Sequence, residues 1–203
     1  MTVADFIAKW SRFSGVNPHG RPTSDVLRPT LNGTDITKRS RERWVIDFFK
    51  MSQEDSCLYE QPFSIVEEKV RPLREKSNRE GRKQRWWQQG ETGDSMRSEL
   101  AGKPRFVALA QTGKRILFRW YDTLIYPEQT VILVARSEDI FFGILHSRIH
   151  QVWALAQGTQ LREKESGFRY TPTTCFETFP FPPGVLTSNE APLCASAGDM
   201  SQS

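Results

Sequence analysis

FVALAQTGKRILFRWYDTLIYPEQTVILVARSEDIFFGILHSRIHQVWALAQG, residues 106–158, changes its hydrophobic period partway along. In the second half, apolar residues recur every three or four positions, which predicts one helix over Asp139–Gln157 with Gly158 as its C-terminal cap. The first half holds short runs rich in β-branched and aromatic residues, which predict strands at Phe106–Ala110, Ile116–Trp120 and Thr130–Ala135. The stretch therefore predicts an α+β fold, a small mixed or antiparallel sheet with flanking helices.

Upstream of this stretch the sequence alternates between turn-forming and helical segments. Residues 11–40 are rich in Pro, Gly, Asn and Asp, which predicts an ordered, loop-rich lead-in. A strand is predicted at Arg43–Phe48, and Ser52 is placed to cap a short helix. A charged helical arm should open at Pro62 and break near Pro72, because proline cannot donate the helical hydrogen bond.

Length and composition place the chain among globular proteins. It has 203 residues, 37% of them hydrophobic and 26% charged, which excludes fibrous classes and fits one domain with appendages. We predict a lead-in at 1–40, a folded domain at 41–183 and a disordered tail at 184–203, since the tail is small, polar and nearly free of large apolar groups.

No segment of the sequence predicts a membrane or secretory role. The longest apolar runs, TVILVA at 130–135 and IFFGIL at 140–145, are far shorter than the roughly 20 residues of a membrane span. The first residues lack the pattern of a signal peptide. Three widely spaced cysteines, Cys57, Cys175 and Cys194, suit a reducing compartment, so we predict a cytoplasmic location.

Positive charge is concentrated in one part of the chain. Residues 69–115 hold 13 basic and five acidic side chains, whereas the whole chain is only +4. Such a concentration favours a polyanionic partner, because each neutralised phosphate releases counterions. The alternative is a solvated helix face. If the segment is one helix, a single basic ridge results, formed by Arg71, Arg74, Asn78, Arg82 and Arg85.

Basic residues also adjoin aromatic ones, at Arg85-Trp86-Trp87, Arg105-Phe106 and Phe118-Arg119-Trp120. Such pairs can bind phosphate or base edges, or stack a guanidinium on a ring. The alternative, which the sequence leaves open, is that the rings are core residues whose basic neighbours face water.

Motifs for catalysis and for metal binding are missing or incomplete. There is no glycine-rich phosphate loop and no GxSxG. Asn17-Pro18-His19-Gly20 lacks the second proline and the aromatic of the loop that holds a flipped base. His146 and His150 lie one helical turn apart without a third ligand, and Glu67-Glu68-Lys69 lacks the acidic partner of a nuclease motif. We therefore predict no catalytic residue and no metal ligand.

Two long strings carry a family resemblance. SGVNPHGRPTSDVLRPTLNGTDIT at 14–37, followed by RWVIDF at 43–48, resembles the segment after the catalytic domain of large bacterial DNA adenine methyltransferases. FGILHSRIHQVWALAQGTQLREKESGFRYTPTTCFETFPFP at 142–182 resembles the end of their target-recognition region. By these strings the chain is identified as a member of the MmeI-like type II restriction–modification adenine-N6 methyltransferase family, over about residues 14–183.

The resemblance implies a function that composition alone does not. In that family a target-recognition domain reads bases of double-stranded DNA and positions a SAM-dependent methyltransferase domain. The resemblance covers only the recognition part and its lead-in, so 1–40 would be the linker from a catalytic domain. The SAM-binding and Asn-Pro-Pro-Tyr motifs are absent, so the chain is expected to hold no cofactor and to be inactive alone. Two alternatives stay open: a subunit of a split SAM-dependent methyltransferase acting in trans, and a non-binding remnant or interaction module.

The DNA contacts are predicted on physical grounds rather than from the resemblance. Arginine can bond guanine through both O6 and N7, and basic side chains elsewhere fix the register through phosphates. The predicted base readers are Arg105, Gln111, Thr112, Lys114, Arg115 and Arg119. The predicted phosphate contacts are Arg74, Arg82, Lys83 and Arg85.

Overall fold

The computed structural model describes residues 17–90, 93–160, 167–185 and 194–196. Its strands are β1 (Leu27–Leu31), β2 (Trp44–Ile46), β3 (Arg105–Ala110), β4 (Thr112–Gly113), β5 (Arg119–Asp122), β6 (Tyr126–Pro127), β7 (Val131–Val134), β8 (Thr159–Gln160), β9 (Phe168–Arg169) and β10 (Cys194–Ser196). Its helices are α1 (Gly33–Thr37), α2 (Gln53–Cys57), α3 (Glu60–Lys69), α4 (Arg71–Glu75), α5 (Glu80–Gln84), α6 (Asp94–Leu100), α7 (Asp139–His146) and α8 (Arg148–Gln157). None of the helices in these ranges is long and apolar enough to cross a bilayer.

The chain divides into two compact units. The first comprises Met1–Pro29 and Glu42–Thr92, and the second comprises Thr30–Arg41 and Gly93–Ser203. This division cuts the predicted lead-in in two, because the segment that holds α1 is part of the second unit.

The first unit packs short helices around an aromatic core. Its strand pair is antiparallel, with Leu27 opposite Ile46 and Pro29 opposite Trp44. The predicted cap of α2 is confirmed, since Ser52 Oγ accepts from the Asp55 N–H at 3.0 Å. The buried core side chains are Val26, Phe48, Tyr59, Phe63, Val66 and Trp86.

Proline breaks the helical arm of the first unit where the sequence predicts it. α3 ends at Lys69 and α4 starts at Arg71, with Pro72 in its first turn. The single helix that a continuous basic ridge would require, however, does not form. α4 ends at Glu75 and α5 begins only at Glu80, after Arg79 in extended conformation, so the residues between them are not helical.

The second unit is built on an antiparallel sheet of strand order β10-β7-β3-β5, which confirms the predicted α+β class. Along β3, Val107 and Leu109 face one core cluster, whereas Phe106 and Ala108 face another. This alternation follows from the two-residue period of a strand. α7, α8 and a π-helical turn at Pro172–Phe176 supply residues to the first cluster, and α1 and α6 supply residues to the second.

The predicted strand at Ile116–Trp120 is displaced along the chain. β5 begins at Arg119, which lies opposite Ala108 of β3. The buried Phe118 is not in the ladder, because His146 Nε2 donates to its carbonyl oxygen at 2.9 Å. A contact with a distant helix therefore sets where this strand starts.

The single helix predicted over Asp139–Gln157 is two helices. Ser147 is extended, and its Oγ accepts from the His150 N–H at 3.1 Å, which caps α8 and ends α7. Gly158 is the C-cap as predicted, but its φ of −83° is open to any residue. Glycine is needed there because a Cβ would overlap the Phe168 ring and lie 2.9 Å from the Arg169 carbonyl oxygen.

Both ends of the described chain hold more regular structure than the sequence predicts. The lead-in contains β1 and α1, and α1 starts with a capping box between Asn32 and Asp35. In the predicted tail, Cys194–Ser196 pairs with β7 and completes the edge of the sheet. The remaining tail residues from 186 onward lie outside the described residues.

Candidate nucleic-acid interface

The ten side chains predicted to contact DNA fall into both compact units. The first unit holds the predicted phosphate contacts, Arg74, Arg82, Lys83 and Arg85. The second unit holds the predicted base readers, Arg105, Gln111, Thr112, Lys114, Arg115 and Arg119.

Two of the predicted phosphate contacts converge on one backbone position. A Cβ at Gly90 would lie 2.9 Å from Arg74 Nη1 and 3.1 Å from Arg82 Nε. Burial, and next the charge of Arg82, lower the pKa of Arg74. The first unit thus holds two like charges beside an exposed main-chain segment, an arrangement that an anion would stabilise.

The other cations of this arm are partly tied to the helices. Lys83 Nζ lies 3.7 Å from Glu80 Oε2, and Arg85 is exposed. Arg71 pairs with Glu67 and Glu75, so at that position the solvated-helix alternative describes the structure better. The ion pair of Lys83 with Glu80 is also exposed and contributes little to stability, so Lys83 can bind another anion in place of Glu80.

The aromatic side chains beside these cations belong to the cores. Trp86, Phe106 and Phe118 are buried, and the Trp87 Nε1–H donates to the Met51 carbonyl oxygen at 3.0 Å. These aromatic side chains are therefore core residues rather than groups available to bind phosphate or bases.

An exposed basic loop of the second unit follows β4. Lys114 and Arg115 are exposed, and among the ion pairs of the described residues none includes either side chain. The base of this loop is paired with β9, where Gly113 lies opposite Phe168. Gly167 precedes β9 with a φ of +84°, and a Cβ there would lie 2.6 Å from the Gly113 carbonyl oxygen. The loop therefore presents two exposed cations next to a paired strand.

Three further predicted readers lie near this loop in the chain. Thr112 is exposed and Gln111 is half-buried, with its N–H donating to the Thr130 carbonyl oxygen. Arg119 is exposed on the edge strand β5 beside Tyr121. Burial raises the pKa of Tyr121, and Arg119 opposes that shift by its charge and a hydrogen bond.

Arg105 differs from the other predicted readers because its donors are used within the protein. Nη2 donates to Asp139 Oδ1 at 2.8 Å, and Nε and Nη2 both donate to the Ser137 carbonyl oxygen. The guanidinium lies 4.0 Å from the Trp120 ring centroid. These contacts tie β3 and β5 to the start of α7, which favours a structural role; a DNA contact by Arg105 stays a prediction.

Both histidines of the pair form hydrogen bonds within the protein. His150 is buried, with Nδ1–H donating to the Leu145 carbonyl oxygen and Nε2 accepting from Tyr170 Oη. The ring of His146 donates to Phe118. Among the described residues, no three His, Cys, Asp or Glu side chains are grouped to hold a metal ion.

Sequence reasoning missed one exposed basic segment of the second unit. Lys38, Arg39 and Arg41 follow α1 and are exposed, as is Arg169, which lies opposite Thr112 in the β4–β9 pair. The available signal is the basic string KRSR at 38–41, which spans the end of the predicted lead-in at 1–40 and the first residue of the predicted domain.

Comparisons with known proteins agree with one another. The family model described as the MmeI target recognition domain matches residues 15–183. The chain is also similar to a solved structure titled "Structure of Type IIL restriction-modification enzyme MmeI in complex with DNA has implications for engineering of new specificities", with a TM-score of 0.58 and 17% sequence identity. That alignment covers 90% of this chain and 23% of the other. Among curated proteins no match was found.

Proposed function

This chain belongs to the family of MmeI target recognition domains, and from that premise we propose that it binds double-stranded DNA and recognises a specific base sequence. The observation that carries the proposal is the basic loop at Lys114 and Arg115, which is exposed, has no carboxylate partner among the described residues, and is paired at its base with β9.

The chemistry of this loop suits base recognition. A lysine or arginine in the major groove can donate to guanine O6 and N7, and no other base pair offers that pair of acceptors. A loop with a fixed base loses little conformational entropy on binding, so more of the contact energy is available for discrimination. Arg119 and Thr112 supply further donors in the same unit.

The first unit supports the proposal through its predicted phosphate contacts. Arg74 and Arg82 approach each other at Gly90, and a bound phosphate would relieve their repulsion. Such contacts hold the protein on the duplex without reading its sequence.

Methyl transfer is proposed to be carried out elsewhere in the parent enzyme. The chain lacks the sequence motifs of a SAM site, and the matched structure belongs to a chain of which this one covers only 23%. We therefore propose that a catalytic methyltransferase domain or subunit, with SAM as its cofactor, acts where this chain binds. The proposed location is the cytoplasm.

The alternative is that this chain is a methyltransferase subunit that acts in trans and has its own cofactor site. That alternative predicts that the isolated chain binds SAM in calorimetry.

Selection from a random duplex library, followed by titration of the selected site against salt, tests the proposed function. If about five to eight phosphates are neutralised, log affinity should fall with log salt with a slope of about −4 to −7. A folded chain that binds no duplex even at low salt contradicts the proposal.

The division between base reading and phosphate contact gives a second prediction. Arg115→Ala should relax discrimination at one base pair by about 1–3 kcal/mol. Arg85→Ala, its control in the first unit, should weaken binding to all duplexes alike and reduce the salt slope by about one. Equal effects of the two variants on matched and mismatched duplexes would show that this division is wrong.

A further inference from the structure

Two exposed cations directly follow the residue of α1 that contacts the base of the proposed recognition loop. Thr37 is the last helical residue, and its Cγ2 is 3.6 Å from the position of a Cβ at Gly113. Lys38 and Arg39 follow directly and are exposed. The base of the loop that carries Lys114 is therefore in contact with the segment that carries these two cations.

Packing also brings α1 to Tyr121, the neighbour of Arg119, because Ile36 of α1 belongs to the core cluster against which Tyr121 packs. Asp35 of α1 is buried and contributes to the raised pKa of Tyr121, the residue to which Arg119 hydrogen-bonds. The same carboxylate accepts from the Arg41 N–H at 3.0 Å, which closes the segment after α1 into a short loop. Lys38 and Arg39 thus lie on a loop closed at both ends.

α1 itself is held firmly on the sheet. The Gly33 N–H donates to Thr130 Oγ1 at 2.9 Å, and a Cβ at Gly33 would lie 2.9 Å from the Thr130 carbonyl oxygen. Asn32 caps the helix through the Asp35 N–H at 3.0 Å. These bonds anchor the backbone of α1, the helix that Lys38 and Arg39 directly follow, in the second unit.

We propose that Lys38 and Arg39 contact the phosphate backbone of the duplex whose bases the Lys114 loop reads. This rests on the proposed function. Among the ion pairs of the described residues, none includes Lys38 or Arg39, so their charge is available to a ligand. An interaction with the helix dipole does not explain the presence of both cations. α1 has only five residues and its last backbone hydrogen bond is donated by Lys38, so its dipole is small.

Phosphate contact explains the arrangement better than base reading does. The two cations directly follow Thr37, which contacts the base of the recognition loop. Basic side chains next to a base-reading element generally bind phosphate oxygens and set the register for the groups that enter the groove. Duplex DNA carries a regular row of phosphates beside each groove, so a cation fixed next to a groove-reading loop meets one.

The experiment compares the double variant Lys38→Ala/Arg39→Ala with Arg148→Ala. Arg148 is exposed on α8, which packs on the other face of the sheet from α1. The double variant should reduce the salt slope by about two and weaken binding by at least about tenfold for selected and random duplexes alike. Arg148→Ala should bind DNA with the affinity and salt slope of the wild type. Both variants should have the melting temperature of the wild type.

The outcomes separate the inference from the proposed function. If the wild-type chain binds no duplex, both fail. If the wild type binds and the double variant keeps its slope and affinity, the inference is wrong and the proposed function stands. If the double variant loses affinity for only one base sequence, the cations read bases, and the assignment to phosphate is overturned. Arg39→Ala alone, with an expected slope change of about one, checks the count per cation.

Discussion

The free energy of unfolding should fall by about 3 kcal/mol as the pH is lowered from neutral to 4, through His150 alone. Burial, and secondarily the charge of His146, lower the pKa of His150 to about 4 from 6.5. The unfolded chain therefore takes up a proton between these two values while the folded chain does not. The stabilising effect of neutral His150 is complete above pH 6.5 and is lost as the pH falls towards 4.

The hydrogen bonds of His150 explain why the folded protein resists this proton. Nδ1–H donates to the Leu145 carbonyl oxygen at 3.0 Å, and Nε2 accepts from Tyr170 Oη at 3.2 Å. Protonation of Nε2 would turn this acceptor into a donor facing the Tyr170 hydroxyl. The rings of Phe118 and Phe179 surround the imidazole and exclude water that could solvate the charge.

Urea unfolding of the wild type and of His150→Gln, at pH 7 and at pH 4.5, measures how much His150 contributes to the pH dependence of the free energy of unfolding. The glutamine variant should be less stable at pH 7, and the gap should narrow at pH 4.5 because glutamine does not titrate. Val152→Ala, a change at an exposed residue of α8 that does not titrate, is the control and should leave the pH dependence as in the wild type. A constant gap between His150→Gln and the wild type would show that His150 does not carry the effect.

The local sequence pattern predicts correctly those elements of the fold that depend mainly on neighbouring residues. β3 and β7 are rich in β-branched and aliphatic residues and form where predicted, and Ser52 and Pro72 act as their chemistry requires. Phe118 lies outside β5, contrary to the prediction, because its carbonyl oxygen accepts a hydrogen bond from His146, a residue distant in the chain. Periodicity could not place the break at Ser147 either, because apolar spacing continues across it.

The candidate interface was predictable by residue type and by the resemblance, but not by position. Lys114 and Arg115 are exposed as expected, whereas Arg105 is engaged by Ser137 and Asp139, more than 30 residues away. Thr37, the residue before Lys38, contacts the Gly113 position of the loop although the two are 76 residues apart in the chain. No local signal reports a contact across such separations, and for the same reason the role of Gly167 could not be read from the sequence.

Gly167→Ala should destabilise the second unit and weaken DNA binding together. Gly167 has a φ of +84°, where a residue with a side chain costs about 1–2 kcal/mol. The new Cβ would also lie 2.6 Å from the Gly113 carbonyl oxygen and 3.0 Å from the Lys114 amide nitrogen. Because both neighbours are backbone, relief of the overlap requires the loop itself to move, so we expect a total loss of about 3 kcal/mol or more.

Gly102→Ala is the matched control for this prediction. Gly102 has a φ of +74° in the same unit, but nothing lies within 4 Å of its Cβ position. The control should therefore show the backbone strain alone, about 1–2 kcal/mol by chemical denaturation, with DNA affinity unchanged. The difference between the variants measures how far the close approach of Gly167 to Gly113 holds the Lys114 loop in its binding conformation. Equal losses of stability, with DNA affinity retained in both, would mean that this contact does not position the loop.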